Sequence, residues 1–423
     1  MRELRQAKHN KWRALTRVSQ AGCLVAVAAV VALFGQPTHA VQDVAWKEQT
    51  GSGAKNWSTL ASSNDGTKLV AAVNSGSIYT SADSGVTWKE QTVTGLAGPQ
   101  KWTAVASSAD GTKLAAFYQW GGYMYTSDDA GVTWKQRGLP GAAGDWVSAT
   151  SSADGAKLAA VGRNSKVYTS ENSGATWKEQ ANPGAKNWSS IASSDDGTKL
   201  AATVTDGSIY TSTDSGVTWK EQTSSGTKKW SAIASSADGA KLVATVNGGR
   251  VYTSTDSGAT WKEQDTADRA WTAVASSADG TKLAATVTDG SIYTSDDGGA
   301  TWTESENTGP NAWTAIAMSA TGDKLAAALN GGNIRTATAK DKPVTPPAPT
   351  PSPAPTPTPA PAPEPAPAAE PAPAATPAAE PAAPAKHEEP TLADTGDSVW
   401  LVAALAASGL GAGSFWFVKS RKS

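Results

Sequence analysis

Short apolar runs, none long enough for a stable helix, alternate with clusters of turn-forming residues through most of this chain. Ser231-Ala232-Ile233-Ala234-Ser235, Lys241-Leu242-Val243-Ala244-Thr245-Val246 and Arg250-Val251-Tyr252-Thr253-Ser254 are typical. They are β-branched or alternating, and Gly, Asp, Asn or Ser bounds each of them. Such runs predict strands. The Ala-Asp-Gly and Asn-Gly-Gly segments between them predict turns, with Gly supplying positive φ and Asp bonding its own backbone. The whole pattern then repeats. A Trp opens each copy, followed by an apolar run, Ser-Ser-Ala-Asp-Gly-Thr-Lys-Leu, a second apolar run, Ile-Tyr-Thr-Ser, and Asp-Ser-Gly-Val-Thr-Trp-Lys-Glu-Gln. The opening Trp falls at Trp57, Trp102, Trp146, Trp188, Trp230, Trp271 and Trp313, at spacings of 41 to 45 residues.

A period of roughly 40 residues with several short strands per copy predicts a propeller blade. The closing Trp occurs at Trp88, Trp134, Trp177, Trp219, Trp261 and Trp302, one fewer than the opening Trp. The absent member is Trp46, in Ala45-Trp46-Lys47-Glu48-Gln49, ahead of the first complete copy. This displaced phrase predicts that the N-terminal strand completes the blade begun by Trp313. The expected fold class is therefore all-β: a seven-bladed β-propeller of four-stranded blades over residues 41–340, its ring closed by the N-terminal strand. One blade cannot cover both of its own faces, so stacking around the ring supplies the stability. The two Trp columns are expected as packing between blades.

The segment Ser81-Ala82-Asp83-Ser84-Gly85-Val86-Thr87-Trp88 resembles the Asp-box, Ser-x-Asp-x-Gly-x-Thr-Trp, of sialidases, sortilins, some glucanases and photosystem-assembly propellers. It recurs with Asp129, Asp214, Asp256 and Asp297, and with Asn172 in the Asp place. The resemblance implies a folded turn in which the carboxylate accepts turn amides, Gly takes positive φ and Trp is buried. Asp83, Asp129, Asn172, Asp214, Asp256 and Asp297 are accordingly expected to be structural.

The two ends of the chain carry different signals. Residues 1–22 hold six Lys or Arg against one Glu, and the apolar run Cys23–Phe34 follows, with Thr38-His39-Ala40 beyond it. This predicts a secretory signal peptide, 1–40, cleaved after Ala40. The mature chain then has no cysteine, since Cys23 is the only one. Residues 341–391 are Pro/Ala-rich, and such a chain is expected to be a disordered, extended stalk. Its densest Pro/Ala part, Val344 to Pro390, reaches on the order of 140 Å at about 3.1 Å per residue. Leu392-Ala393-Asp394-Thr395-Gly396 precedes an apolar stretch, 399–418, and a basic tail. This order resembles the cell-wall sorting signal of Gram-positive surface proteins, with Ala393 where the usual motif has Pro. The resemblance implies cleavage between Thr395 and Gly396 by sortase and transfer of Thr395 to peptidoglycan. The alternative is a plain C-terminal anchor, because 399–418 can span a membrane as a helix. Either way the expected location is outside the cell, on the wall or surface of a Gram-positive-type bacterium.

Composition then narrows the chemistry. The histidines, His9, His39 and His387, all lie outside the repeats, so no His-based triad or metal site is expected there. The ring arginines are Arg137, Arg163, Arg250, Arg269 and Arg335, without the Arg-Ile-Pro motif that resemblance to a sialidase would require. A glycosidase needs two carboxylates about 5 to 9.5 Å apart. Most acids sit in repeated turns, Asp206 and Asp289 included, and the non-repetitive ones are Asp145, Asp265, Asp268, Glu304 and Glu306. Formal net charge is −2, with no basic stripe, so nucleic acid is not an expected partner. The acidic turns lack the oxygen spacing of a calcium loop, and no cofactor or metal is expected.

The second copy departs from the pattern. Where others read Ala-Thr-Val-Thr-Asp-Gly-Ser-Ile-Tyr, it reads Ala116-Phe117-Tyr118-Gln119-Trp120-Gly121-Gly122-Tyr123-Met124-Tyr125. Phe117, Tyr118, Trp120 and Tyr123 are candidate ligand-binding residues, able to stack on sugar rings or anchor a protein partner. The alternative is that they fill a local gap. The expected function is non-catalytic binding or adhesion to an extracellular glycan or protein. The competing classes are a wall-anchored glycoside hydrolase and a passive structural surface component.

Overall fold

The computed structural model describes residues 43–96, 98–119, 123–140 and 144–340. The signal peptide, stalk, sorting signal and the apolar segment 399–418 expected from sequence lie outside the described residues, as does Trp120. Among the described residues the structure is all-β, and the only helical turns are 3-10 turns at Thr50–Ser52 and Thr223–Ser225.

Each copy of the repeat folds as four antiparallel strands, termed a to d from the opening Trp onward. In the fifth unit they are Lys228–Ser235, Leu242–Gly249, Val251–Ser254 and Lys262–Glu263, paired in that order. Strand b is apolar without alternation because both of its faces are covered. Leu242, Ala244 and Val246 pack with Trp230 against Ile209 of the fourth unit, whereas Val243 packs with Val251 against Trp271 of the sixth. The two-residue period of the strand therefore sorts side chains between two neighbours rather than between core and water. Every opening Trp is at most 1 % exposed and fills such a junction. A register shift directly follows each opening Trp, the kind of bulge that increases the twist of a strand.

The last unit takes three strands from one end of the chain and one from the other. Asn311–Met318, Lys324–Gly332 and Arg335–Lys340 are joined by Asp43–Glu48, in the register Asp43↔Lys340 to Glu48↔Arg335. The a strands contact one another in succession, and that of the last unit contacts Lys55–Ser62 of the first. The turns between strands a and b make a circuit of backbone hydrogen bonds. The N–H groups of Asn64, Ala109, Ala153, Asp195, Ala237 and Ala278 each donate to the equivalent carbonyl of the following unit, and Ala320 donates back to Asn64.

At the same end lie the Ser-x-Asp-x-Gly-x-Thr-Trp turns between strands c and d. Asp83 accepts from Thr87 N at 2.8 Å and from Thr87 Oγ1 at 2.6 Å, while Ser81 Oγ accepts from Gly85 N. Gly85, at φ 87°, turns its carbonyl to accept from Trp88 Nε1 at 2.8 Å. Asn172 keeps the first bond, accepting from Thr176 N, but its Nδ2 donates to Thr176 Oγ1, so the second bond is reversed. Trp46 follows no such turn, and its Nε1 is buried without a partner.

Candidate functional site

A regular repeat provides a baseline, and departures from it locate chemistry. The baseline at the end opposite the a–b turns is a cluster of Tyr, Glu and a cation. Tyr168 donates to Glu179 at 2.7 Å and Tyr293 to Glu304 at 3.0 Å, and Tyr252 donates to Glu263. Lys55, Lys186, Lys228 and Arg269 lie 4.4 to 5.2 Å from the ring centroids of Tyr79, Tyr210, Tyr252 and Tyr293. Burial and the neighbouring Glu90 push Tyr79 up to about 12, while hydrogen bonds from Ser77 and Tyr79 lower Glu90. Each phenol is thus held protonated beside an ionised carboxylate, the reverse of an activated nucleophile. Glu304, expected from sequence to be non-repetitive, occupies the repeated Glu position of strand d and belongs to this architecture.

Units four to seven share a second device. Hydroxyls of Ser225, Thr266, Thr308 and Ser52, all in d-to-a connections, accept the N–H groups of Ile209, Val251, Ile292 and Ile334 at the start of strand c. The connections of the first three units differ. After the first unit a cavity of about 450 Å³ is lined by Ser77, Glu90, Val93, Leu96 and Trp102. After the second, Leu139 is buried as the plug. After the third, Asn182 reaches forward to accept from Trp219 N at 3.0 Å.

The second unit also breaks the Tyr–Glu baseline. Gln136 and Arg137 replace the usual Glu and Gln, and Arg137 Nε donates to Thr126 at 3.0 Å. Tyr125 thereby loses its carboxylate and packs with Tyr118 and Trp102 at centroid distances of 6.4 and 6.0 Å. Tyr118 lies 5.7 Å from Trp102 and is half-buried. Tyr123 is 49 % exposed, so its ring is available to a ligand. Phe117 corrects the sequence-based expectation. It is buried against Trp146 and Trp177 in the junction with the third unit and cannot contact a ligand. On strand b, Phe117 and Tyr118 necessarily point to opposite faces.

Gln119, just after strand Leu114–Tyr118, joins a polar cluster. Asp145 Oδ1 accepts from Gln119 Nε2 at 3.0 Å, and Oδ2 accepts from Arg163 Nη1 at 3.2 Å. Sequence reasoning singled out Asp145 and Arg163 separately, with nothing to join them. The remaining non-repetitive acids do not form a paired, desolvated site. Asp265 and Asp268 share Arg250 at 3.5 Å on the surface, and Asp206 and Asp289 hold turn positions at φ 55° and 52°. Asp195, raised by desolvation and by adjacent Asp196, lies in the opposite ring of turns. Among the described residues no group of three His, Cys, Asp or Glu is arranged to hold a metal, and no helix is long and apolar enough to cross a membrane.

Comparisons with known proteins agree on the fold. Residues 155–273 match the DUF6242 beta propeller domain. No curated protein matches the sequence. Among solved structures, YCF48 bound to D1 peptide is 16 % identical with a TM-score of 0.56, covering 71 % of this chain and 97 % of that one. YCF48 from Cyanidioschyzon merolae is 18 % identical with a TM-score of 0.55, covering 69 % and 98 %. A GH74 xyloglucanase from Xanthomonas campestris is 16 % identical with a TM-score of 0.54, covering 69 % of this chain and 53 % of that one. The chain is thus similar in fold to a β-propeller, and its structural neighbours include both hydrolases and YCF48.

Proposed function

We propose that this chain is a non-catalytic surface-binding protein: a closed seven-bladed Asp-box propeller, exported, carried on the Pro/Ala-rich stalk and fixed through Thr395 to the cell wall. One observation carries the binding reading. Apart from the last unit, where the chain ends meet and Arg335 replaces the repeated Tyr, the departures from the repeat gather in three adjoining units. There lie exposed Tyr123, half-buried Tyr118 and the Asp145–Arg163 pair, linked to strand Leu114–Tyr118 through Gln119. Aromatic faces beside directed polar groups suit a glycan or a protein partner.

The test is a binding screen of the propeller, residues 41–340, against a glycan array and wall polysaccharides, beside Trp120→Ala and Tyr123→Ala. Specific binding weakened about tenfold or more in either variant supports the reading, a loss of about 1.4 kcal/mol. Binding unaffected by both moves the site away from the second unit. Attachment is tested apart: Thr395→Ala should release the protein from the wall fraction. A second reading is favoured by the GH74 neighbours. It requires two carboxylates flanking a sugar bond, and release of reducing ends from any polysaccharide would establish it.

A further inference from the structure

The residue before each opening Trp and the strand-b residue it pairs with form an inner rim at the end of the ring where strands b and c connect. Around this rim the charged residues are Lys101, Asp145, Arg163 and Lys229, all in units two to five, and every other position is Asn, Gln, Thr or Ala. At these positions the charge is confined to units two, three and five, with a positive excess, while Lys55 and Arg269 lie one residue outward in units one and six.

Within these charged units, four departures from the repeat converge on Arg163. Asp145 is 14 % exposed, and both of its oxygens are engaged, one by Gln119 and one by Arg163. The repeat places Val, Leu or Tyr where Gly162 stands. A Cβ at Gly162 would come within 2.6 Å of the Asp145 carbonyl, so the glycine is what lets strand Asp145–Ser151 begin this close. Arg163 itself is 55 % exposed, with the guanidinium fixed on one side by Asp145 and open on the other. An arginine oriented by a satisfied, half-buried carboxylate presents planar N–H donors that match a second carboxylate.

We infer that Arg163 is an anion-recognition residue and that the ligand of this face is a carboxylate-bearing saccharide, a uronic-acid type of glycan. This rests on the binding reading above and names its ligand class. Asp145 and Gln119 position Arg163, Lys101 adds long-range attraction, and exposed Tyr123, first residue of strand c in the second unit, supplies a stacking face for the sugar ring. A sugar is favoured over an acidic peptide because the exposed ring of Tyr123 offers an aromatic face that stacks on a pyranose.

The purified full chain, captured by its C-terminal end, is titrated with oligogalacturonide and oligomannuronate and with the methyl ester of each. The acid forms should bind at least about tenfold more tightly than the esters. Arg163→Gln should erase that difference, and Arg163→Lys, which keeps charge but loses the fork, should retain part of it. Tyr123→Ala should weaken acid and ester alike. An unchanged melting curve shows that each variant is folded, as expected for exposed side chains. Equal binding of acid and ester, or a preference that survives in Arg163→Gln, overturns the inference. Failure to bind either acid while binding another array glycan overturns it too and leaves the binding function standing. Failure to bind anything overturns both.

Discussion

Most a–b and c–d turns of this molecule are held by one carboxylate that accepts several hydrogen bonds at once. Ser63 and Thr67 lower Asp65 to about 2, and Thr133 lowers Asp129 to about 2. Asp110, Asp196 and Asp279 reach the same value through equivalent bonds. A folded-state value below the unfolded one means these groups add stability above the unfolded pKa, near 4. That contribution is lost as the pH falls from about 4 towards 2. Stability should therefore be flat through neutral pH and drop steeply below pH 4, as followed by circular dichroism. Asn172 shows how the same turn works without a charge. Asp214→Asn should accordingly melt somewhat below wild type at pH 7 and converge with it as the pH falls below 4, whereas Asp214→Ala, which removes the turn bonds altogether, should cost about 1–2 kcal/mol. The opening Trp residues are the other fixed points, and Trp188→Ala should cost about 3–5 kcal/mol because it empties a junction between two units.

At the scale of elements, the strands were legible because turn residues punctuate them every few positions. Which face of a strand served which purpose was not. Phe117 and Tyr118 are adjacent aromatics in the sequence, and only the stacked neighbours show that one is core and the other lines the face. Strand Asp43–Glu48 is the one strand of its unit without a covalent turn to its partner, a situation that the displaced Trp46 phrase announces. Removing residues 41–48 should expose the edge of Arg335–Lys340 and the cavity left by Trp46. The expected result is a sharply lower melting temperature and aggregation through the unpaired edge, read by thermal scan and light scattering.

At the scale of the whole molecule, Lys340 and Asp43 face each other in register where other units carry a c-to-d turn. A circular permutant in which Ser-Ala-Asp-Ser-Gly-Val-Thr replaces residues 337–340 and 43–45, so that the new Thr directly precedes Trp46, with new termini in the 49–54 connection, should fold and melt at or above the wild-type temperature. It converts a long-range closure into a local hairpin and gives Trp46 the glycine carbonyl it lacks. A permutant that fails to fold would show that this junction depends on being open.

The repeated pattern of apolar runs, turn residues and Trp by itself determined the strands, their turns and the all-β propeller class. Each of these depends on residues close together in the chain, so local chemistry is enough to specify it. The tertiary structure decided what depends on neighbours from other units. It buried Phe117, left the cavity beside Trp102 and brought Asp145 against Arg163 across the gap allowed by Gly162. A two-residue period says that alternate side chains part company, but only stacking decides whether each meets a tryptophan, a salt-bridge partner or water.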